Sequence, residues 1–213
     1  MPTAKEFLLE SNRAQAVSET DSFTPDRYRQ MFAHLPAGVA KVLDAGCNTG
    51  RGGAVLKSLD ARLQLAGLDC IQERVDALDP AVYSERVCSF TSQLKIENDA
   101  FDAIVAGEFI EHVPPAEIDA TLAEFFRVLR LRGRLVLTTP NPNYLKNRVQ
   151  HLSVLSEKSH LTQHYPDCLR FRLRAVGFSS VKIFGSGRMI RYVGQRFPWR
   201  AVYGSYLVRA EKW

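Results

Sequence analysis

The stretch "VLDAGCNTGRGG", residues 42–53, decides the fold. It continues an apolar run that begins at Ala40, reaches the acid Asp44, and breaks into a turn rich in glycine. Gly46 and Gly50 allow backbone to come close to a bound molecule. "RGGAVLKSL", residues 51–59, then reads as a helix whose first turn offers N–H groups to a ligand. Strand, glycine loop and helix in that order define the first unit of a parallel sheet.

The pattern repeats outward from this unit. Residues 63–69 read as a second strand, 71–78 as a short helix, 86–90 as a weak third strand and 101–109 as a fourth. Residues 115–130 read as a helix, with Ile118, Leu122, Phe125, Phe126 and Leu129 at helical spacing and Pro115 near the start. Residues 133–140 give a fifth strand. Short apolar strands alternating with helices predict an α/β fold with a parallel sheet covered on both faces. The end differs: a helix over 166–178 closes at Gly177, and 180–185 and 201–211 read as two strands with no helix between them, an antiparallel hairpin at the sheet edge. The chain is expected to form one domain over 1–213. A helical segment over 1–36 precedes the sheet, and 141–165 and 186–200 are insertions that cover the acceptor side.

Composition excludes several classes. The chain has 213 residues, 46% hydrophobic and 24% charged, with no internal repeats or low-complexity tracts. No apolar run reaches the roughly 18–20 residues of a membrane span. The first residues, "MPTAKEFLLESNRAQAVSE", read as a polar helix without the apolar core of a signal peptide, which points to the cytoplasm. The net charge of +5 admits an anionic partner without demanding one. Cys47, Cys70, Cys88 and Cys168 form no CxxC pair or zinc spacing. The first three sit at strand ends and are expected to be small buried residues.

Ligands of open parallel sheets bind beyond the carboxyl ends of the strands. Two ligand classes use a loop of this kind, dinucleotides and S-adenosylmethionine (SAM). A pyrophosphate wants glycines and a helix N-terminus, and Asp44 would repel it. SAM carries an ammonium and a sulfonium, which an acid suits. "GCNTG" also lacks the GxGxxG spacing, because Asn48 stands at its middle. Asp69, at the end of the second strand, can accept both hydroxyls of a ribose.

Four ordered motifs, "VLDAGCNTG", "LAGLD", "FDAIVAGEFIEHV" and "RGRLVLTTPNP", resemble the class I SAM-dependent methyltransferases over residues 40–140. The resemblance implies a Rossmann-like three-layer sandwich with a seven-stranded sheet, order 3-2-1-4-5-7-6, and strand 7 antiparallel. "EFIEHV" and "TTPNP" are similar to the small-molecule branch, including O-methyltransferases of the ubiquinone pathway and of polysaccharide gene clusters. They are unlike the "NPPY"-type motif of nucleic-acid enzymes. By position, Asp44, Gly46 and Gly50 would hold the methionine part of SAM, Asp69 the ribose, and Glu108 the methionine end or the methyl group, with Cys47, Asn48 and Cys70 also at the cofactor. The family's acid after strand 3, which binds the adenine amino group, is missing: that position falls near Ser89 or Phe90. Adenine is expected to meet Phe90 or Ser92 instead.

Methyl transfer to a hydroxyl needs alignment and a base near working pH, often histidine. Of His34, His112, His151, His160 and His164, the candidates for the base are His112, just past the fourth strand, and His160, in "SEKSHLTQHYP". Glu111, beside His112 on a strand end, is expected to point away from it. No set of Asp, Glu and His at ligand spacing argues for a metal. Asn141, Asn143 and Tyr144 read equally as acceptor contacts and as turn chemistry. The loop "GSGRMIRYVGQRFPWR", residues 185–200, interleaves arginines with aromatics. It suits an anionic or lipid-linked acceptor, a membrane surface or single-stranded nucleic acid. The leading expectation is a SAM-dependent methyltransferase of a small molecule or glycan, acting at oxygen. The alternatives are an RNA methyltransferase and a non-catalytic SAM-binding module.

Overall fold

The computed structural model describes residues 4–13 and 22–213. After helices α1 (Ala4–Arg13) and α2 (Thr24–Phe32), the chain alternates β1 (Lys41–Ala45), α3 (Arg51–Leu59), β2 (Gln64–Asp69), α4 (Gln72–Asp76), β3 (Tyr83–Cys88) and β4 (Phe101–Gly107). It continues through α5 (Ile118–Val128), β5 (Leu129–Pro140), α6 (Leu145–Val149), α7 (Pro166–Val176), β6 (Ser179–Ser186), α8 (Ile190–Val193) and β7 (Ser205–Glu211). The strands form one seven-stranded sheet in the order β3-β2-β1-β4-β5-β7-β6. β1 to β5 run parallel, and β7 runs antiparallel to both neighbours, β5 and β6. This is the architecture the motifs implied.

Strand periodicity sorts the core into two layers. Leu43 and Ile104 face one side, where Leu122, Phe125, Leu169 and Leu173 of α5 and α7 cover them. Val42, Ala103 and Val105 face the other, against Tyr28, Met31 and Leu56 of α2 and α3. Burial on both faces explains why the central strands read as continuous apolar runs. β3 reads weakly because it is an edge strand: Ser84, Glu85 and Arg86 are all exposed.

Several boundaries differ from the sequence reading. β3 starts at Tyr83, whose ring packs inward, not at Arg86. β4 stops at Gly107 because Glu108 takes a left-handed backbone, φ 50°. β5 begins at Leu129, directly after α5, and pairs Leu129 with Phe101. Residues 115–117 form a 3₁₀ turn before α5, and 200–202 another before β7. Within the polar helix expected at the N-terminus, residues 4–13 are helical, and residues 1–3 and 14–19 lie outside the described residues. Among the described residues, no helix is long and apolar enough to cross a membrane.

Candidate active site

The carboxyl ends of β1, β2, β3 and β4 open into a cavity of about 390 Å³. Its wall begins at the glycine loop. Gly46 has φ 72° and lies so close to Phe109 that a Cβ would stand 2.5 Å from the ring. Asn48 is also left-handed, φ 50°, and its backbone N–H donates to Asp69 Oδ2 at 3.1 Å. Asp69 Oδ1 accepts from the Ile71 N–H at 2.9 Å. One carboxylate thus ties the loops after β1 and β2 together, and Gly46, Cys47, Asn48, Asp69 and Cys70 all line the cavity.

Asp44 sits elsewhere. It is fully buried behind the cavity wall, where Tyr28 donates to Oδ1 at 2.7 Å and Tyr83 to Oδ2 at 2.6 Å. Burial raises its carboxyl to about 6 against the lowering effect of the two phenols. Gly50 likewise faces Leu78 and Tyr83. The structure therefore assigns Asp44 to holding α2, β1 and β3 together, in place of the direct ligand contact the sequence suggested. Asp44→Asn should leave SAM affinity within about threefold of wild type by calorimetry, because neither oxygen reaches the cavity. The raised pKa also fixes a sign: the protonated form stabilises the fold below the unfolded value of 3.8, and that stability is lost as pH rises through about 6. The Tm advantage of the asparagine variant should grow from pH 4 to 6 and level off above.

Following the sheet order, the cavity runs from β4 and β1 toward β3. At the β4 end stand Arg27 of α2 and Glu108, with Nε and Oε1 3.8 Å apart. Glu108 Oε2 accepts from the Ser205 hydroxyl at 3.2 Å. At the β3 end the walls are Ser89, Phe90 and Thr91 on one side and Val113, Pro114 and Glu117 on the other. Ser92 donates to Glu117 Oε2 at 2.8 Å. Arg27 and Glu117 were not among the sequence candidates. "TPDRYRQMF" carried a signal for Arg27, since Pro25 in the first turn and Tyr28 and Met31 at helical spacing announce a helix packed on the sheet.

A third group lies above these. A 3₁₀ turn over Ile110–His112, not a strand end, follows β4 and puts Glu111 and His112 on the same side. Ligand atoms of Glu111, His112 and His160 all fall within 4.8 Å of one another. His112 Nδ1 bonds the Ser159 carbonyl at 2.9 Å and His160 Nδ1 the Val154 carbonyl at 2.7 Å. A carbonyl only accepts, so each ring donates from Nδ1. Burial lowers His112 to about 4, keeping it neutral. Glu111 is wholly buried, and its Oε2 accepts from Thr139 at 2.9 Å while Oε1 has no hydrogen-bond partner. Burial, then the nearby Glu108 charge, pushes this carboxyl upward. An orphaned carboxylate oxygen beside two imidazoles calls for a proton or a cation. Sequence spacing showed no ligand set because His160 lies a whole insertion away.

Other expectations fall outside this cavity. Asn141 is buried and spans a turn, donating to the carbonyls of Arg200 and Tyr203 and accepting from the Asn143 N–H. Neither it, Asn143 nor Tyr144 lines the cavity. His164 is buried on Thr162, and His34 bonds Gln195. From the 141–165 insertion, Glu157, Ser159 and His160 reach the cavity, whereas no residue of 186–200 does. Cys47 is buried, Cys70 half-buried, and Cys88 and Cys168 are exposed. Burial raises the Cys47 thiol and takes Cys70 to about 12, so neither is an activated thiolate.

Sheet order, the β1 glycine loop and an acid at the end of β2 together define a class I SAM-dependent methyltransferase fold. Residues 43–137 match the family described as "Methyltransferase domain". It is similar to a malonyl-[acyl-carrier protein] O-methyltransferase of Laribacter hongkongensis, 29% identical over 149 residues, 62% of this chain and 47% of the relative. It is also similar to the mitochondrial ubiquinone biosynthesis O-methyltransferase of Rattus norvegicus, 32% identical over 121 residues, 52% of this chain and 33% of the relative. The chain thus spans less than half the length of these two curated relatives. A SAM-dependent methyltransferase structure from Archaeoglobus fulgidus superposes with a TM-score of 0.69 at 20% identity, covering 97% of this chain and 99% of the other.

Proposed function

We propose that the protein transfers the methyl group of SAM to an oxygen of a small-molecule acceptor. The observation that carries this reading is the order of groups along the cavity: a cation–anion pair at Arg27 and Glu108, a buried acid at Asp69, then a flat-walled end at Phe90. Arg27 would hold the methionine carboxylate and Glu108 the ammonium. Asp69 would take the ribose hydroxyls. Glu117 would accept the adenine amino group in place of the acid missing after β3. SAM supplies the activated methyl; the chain binds it, excludes water and aligns the acceptor.

His112 and His160 border the cavity, and the neutral His112 ring, with its proton on Nδ1, favours a hydroxyl acceptor that must lose a proton. A second reading rests on the orphaned Oε1 of Glu111: with the two Nε2 atoms it would hold a divalent cation that orients the acceptor oxygen and lowers its pKa. The four cysteines are all unpaired, which supports a place in the reducing cytoplasm. Incubation with methyl-labelled SAM and pools of phenols, carboxylic acids, glycans and amines tests the proposal. Label recovered on oxygen is expected; label recovered only on nitrogen overturns it.

A further inference from the structure

β5 and β6 end at the same level. Pro140 and Ser186 both pair with Ser205 from opposite sides of β7, so the segments that leave them emerge together on the carboxyl edge. The Asn141 side chain fastens one to the other by its bonds to the carbonyls of Arg200 and Tyr203. The Tyr144 ring also lies against Gly204, within 3.6 Å of where a Cβ would stand. Residues 141–156 and 187–204 therefore build one continuous surface. It contains no aspartate or glutamate, but it carries Lys146, Arg148, Arg188, Arg191, Arg196 and Arg200.

Large apolar side chains stand out of the same surface. Val149 is 70% exposed, Trp199 63% and Tyr192 80%, with Leu145, Leu152 and Leu155 close to half exposed. Single exposed apolar residues need no explanation, but a cluster with cations and no acid does. Arginine and lysine stems with aromatic rings are the composition of a membrane-interface surface. The face also borders the cavity, because Glu157, Ser159 and His160 follow directly from its first segment.

We propose that this face docks on an anionic lipid bilayer, which presents the acceptor to the cavity from the membrane side. The docking stands on the surface alone. Delivery of the acceptor rests on the methyl-transfer reading above. Arg191 is paired with Asp26, and Arg188 donates to Ser22, so the cations that meet the lipid are Lys146, Arg148, Arg196 and Arg200.

Vesicle flotation tests it with the full chain. Vesicles of phosphatidylcholine mixed with phosphatidylglycerol should carry the protein, and pure phosphatidylcholine should not. Raising the salt should release it. The triple variant Arg148→Gln, Arg196→Gln, Arg200→Gln should bind these vesicles roughly 100-fold more weakly, about fivefold per cation, the equivalent of ~1 kcal/mol each. An unchanged calorimetric affinity for S-adenosylhomocysteine shows that the variant is folded. Trp199 and Trp213 are the two tryptophans, so in a Trp213→Phe background the emission reports Trp199. It should shift to the blue on anionic vesicles and not on neutral ones. The proposal is overturned if wild type ignores anionic vesicles, if the triple variant binds as well as wild type, or if binding leaves the Trp199 emission unshifted. Retention of a single-stranded RNA oligomer with vesicles unbound overturns it in favour of nucleic acid. None of these readouts requires a methyl acceptor, so failure here is distinct from failure of the methyl-transfer reading.

Discussion

Alanine at His112 lowers kcat by roughly 100-fold or more, the scale on which a positioned general base contributes, while SAM affinity changes little. The expectation follows from geometry. Bonding of Nδ1 to the Ser159 carbonyl leaves Nε2 as the basic atom, and the ring lines the cavity. The pH dependence has a defined sign. Burial lowers His112 from the ordinary 6.5 to about 4, so the neutral ring persists far below neutrality. An acidic limb of the kcat profile set by His112 should lie near pH 4, not near 6.5. The same depression means that neutral His112 contributes stability above pH 6.5 which is lost as pH falls toward 4. The alanine variant should flatten that part of the Tm profile. Chelator separates the two readings of the Glu111–His112–His160 group. A base alone predicts an unchanged rate, whereas a bound cation predicts loss restored by added divalent metal.

Asp69→Asn weakens binding of S-adenosylhomocysteine by roughly 1.5–3 kcal/mol, about 10- to 150-fold, the scale of charge-assisted hydrogen bonds lost to a ribose. Asparagine keeps one oxygen and so one of the two bonds that Asp69 now accepts from the Asn48 and Ile71 N–H groups. Alanine would leave those two donors unsatisfied and confound loop order with ligand contact. For that reason the conservative variant is the sharper probe. Unchanged calorimetric affinity in Asp69→Asn would remove this carboxylate from the site.

The central strands and the cavity edge were legible because burial on both faces forces β1, β2, β4 and β5 to be apolar, and because Asp69 ends a strand at the edge where ligands bind, whereas the strand order was implied only by the resemblance of the four motifs. β3 and the start of β5 were harder, since an exposed edge strand and a strand fused to the preceding helix lose the period that marks them. Asp44 shows a different limit. A strand-end acid looks like a ligand group until its partners are known, and Tyr28 and Tyr83 lie 16 and 39 residues away in the chain. Glu117 at the cavity and the meeting of Glu111 with His160 depend on tertiary packing between distant segments, which no local spacing encodes.

Calorimetric titration of the wild-type protein with S-adenosylhomocysteine and, separately, with NAD tests the account most directly. An uncharged loop after β1, the Arg27–Glu108 pair and a buried Asp69 suit a zwitterionic nucleoside without phosphate. Micromolar binding of S-adenosylhomocysteine with no heat from NAD is the predicted result. Tighter binding of NAD would contradict it.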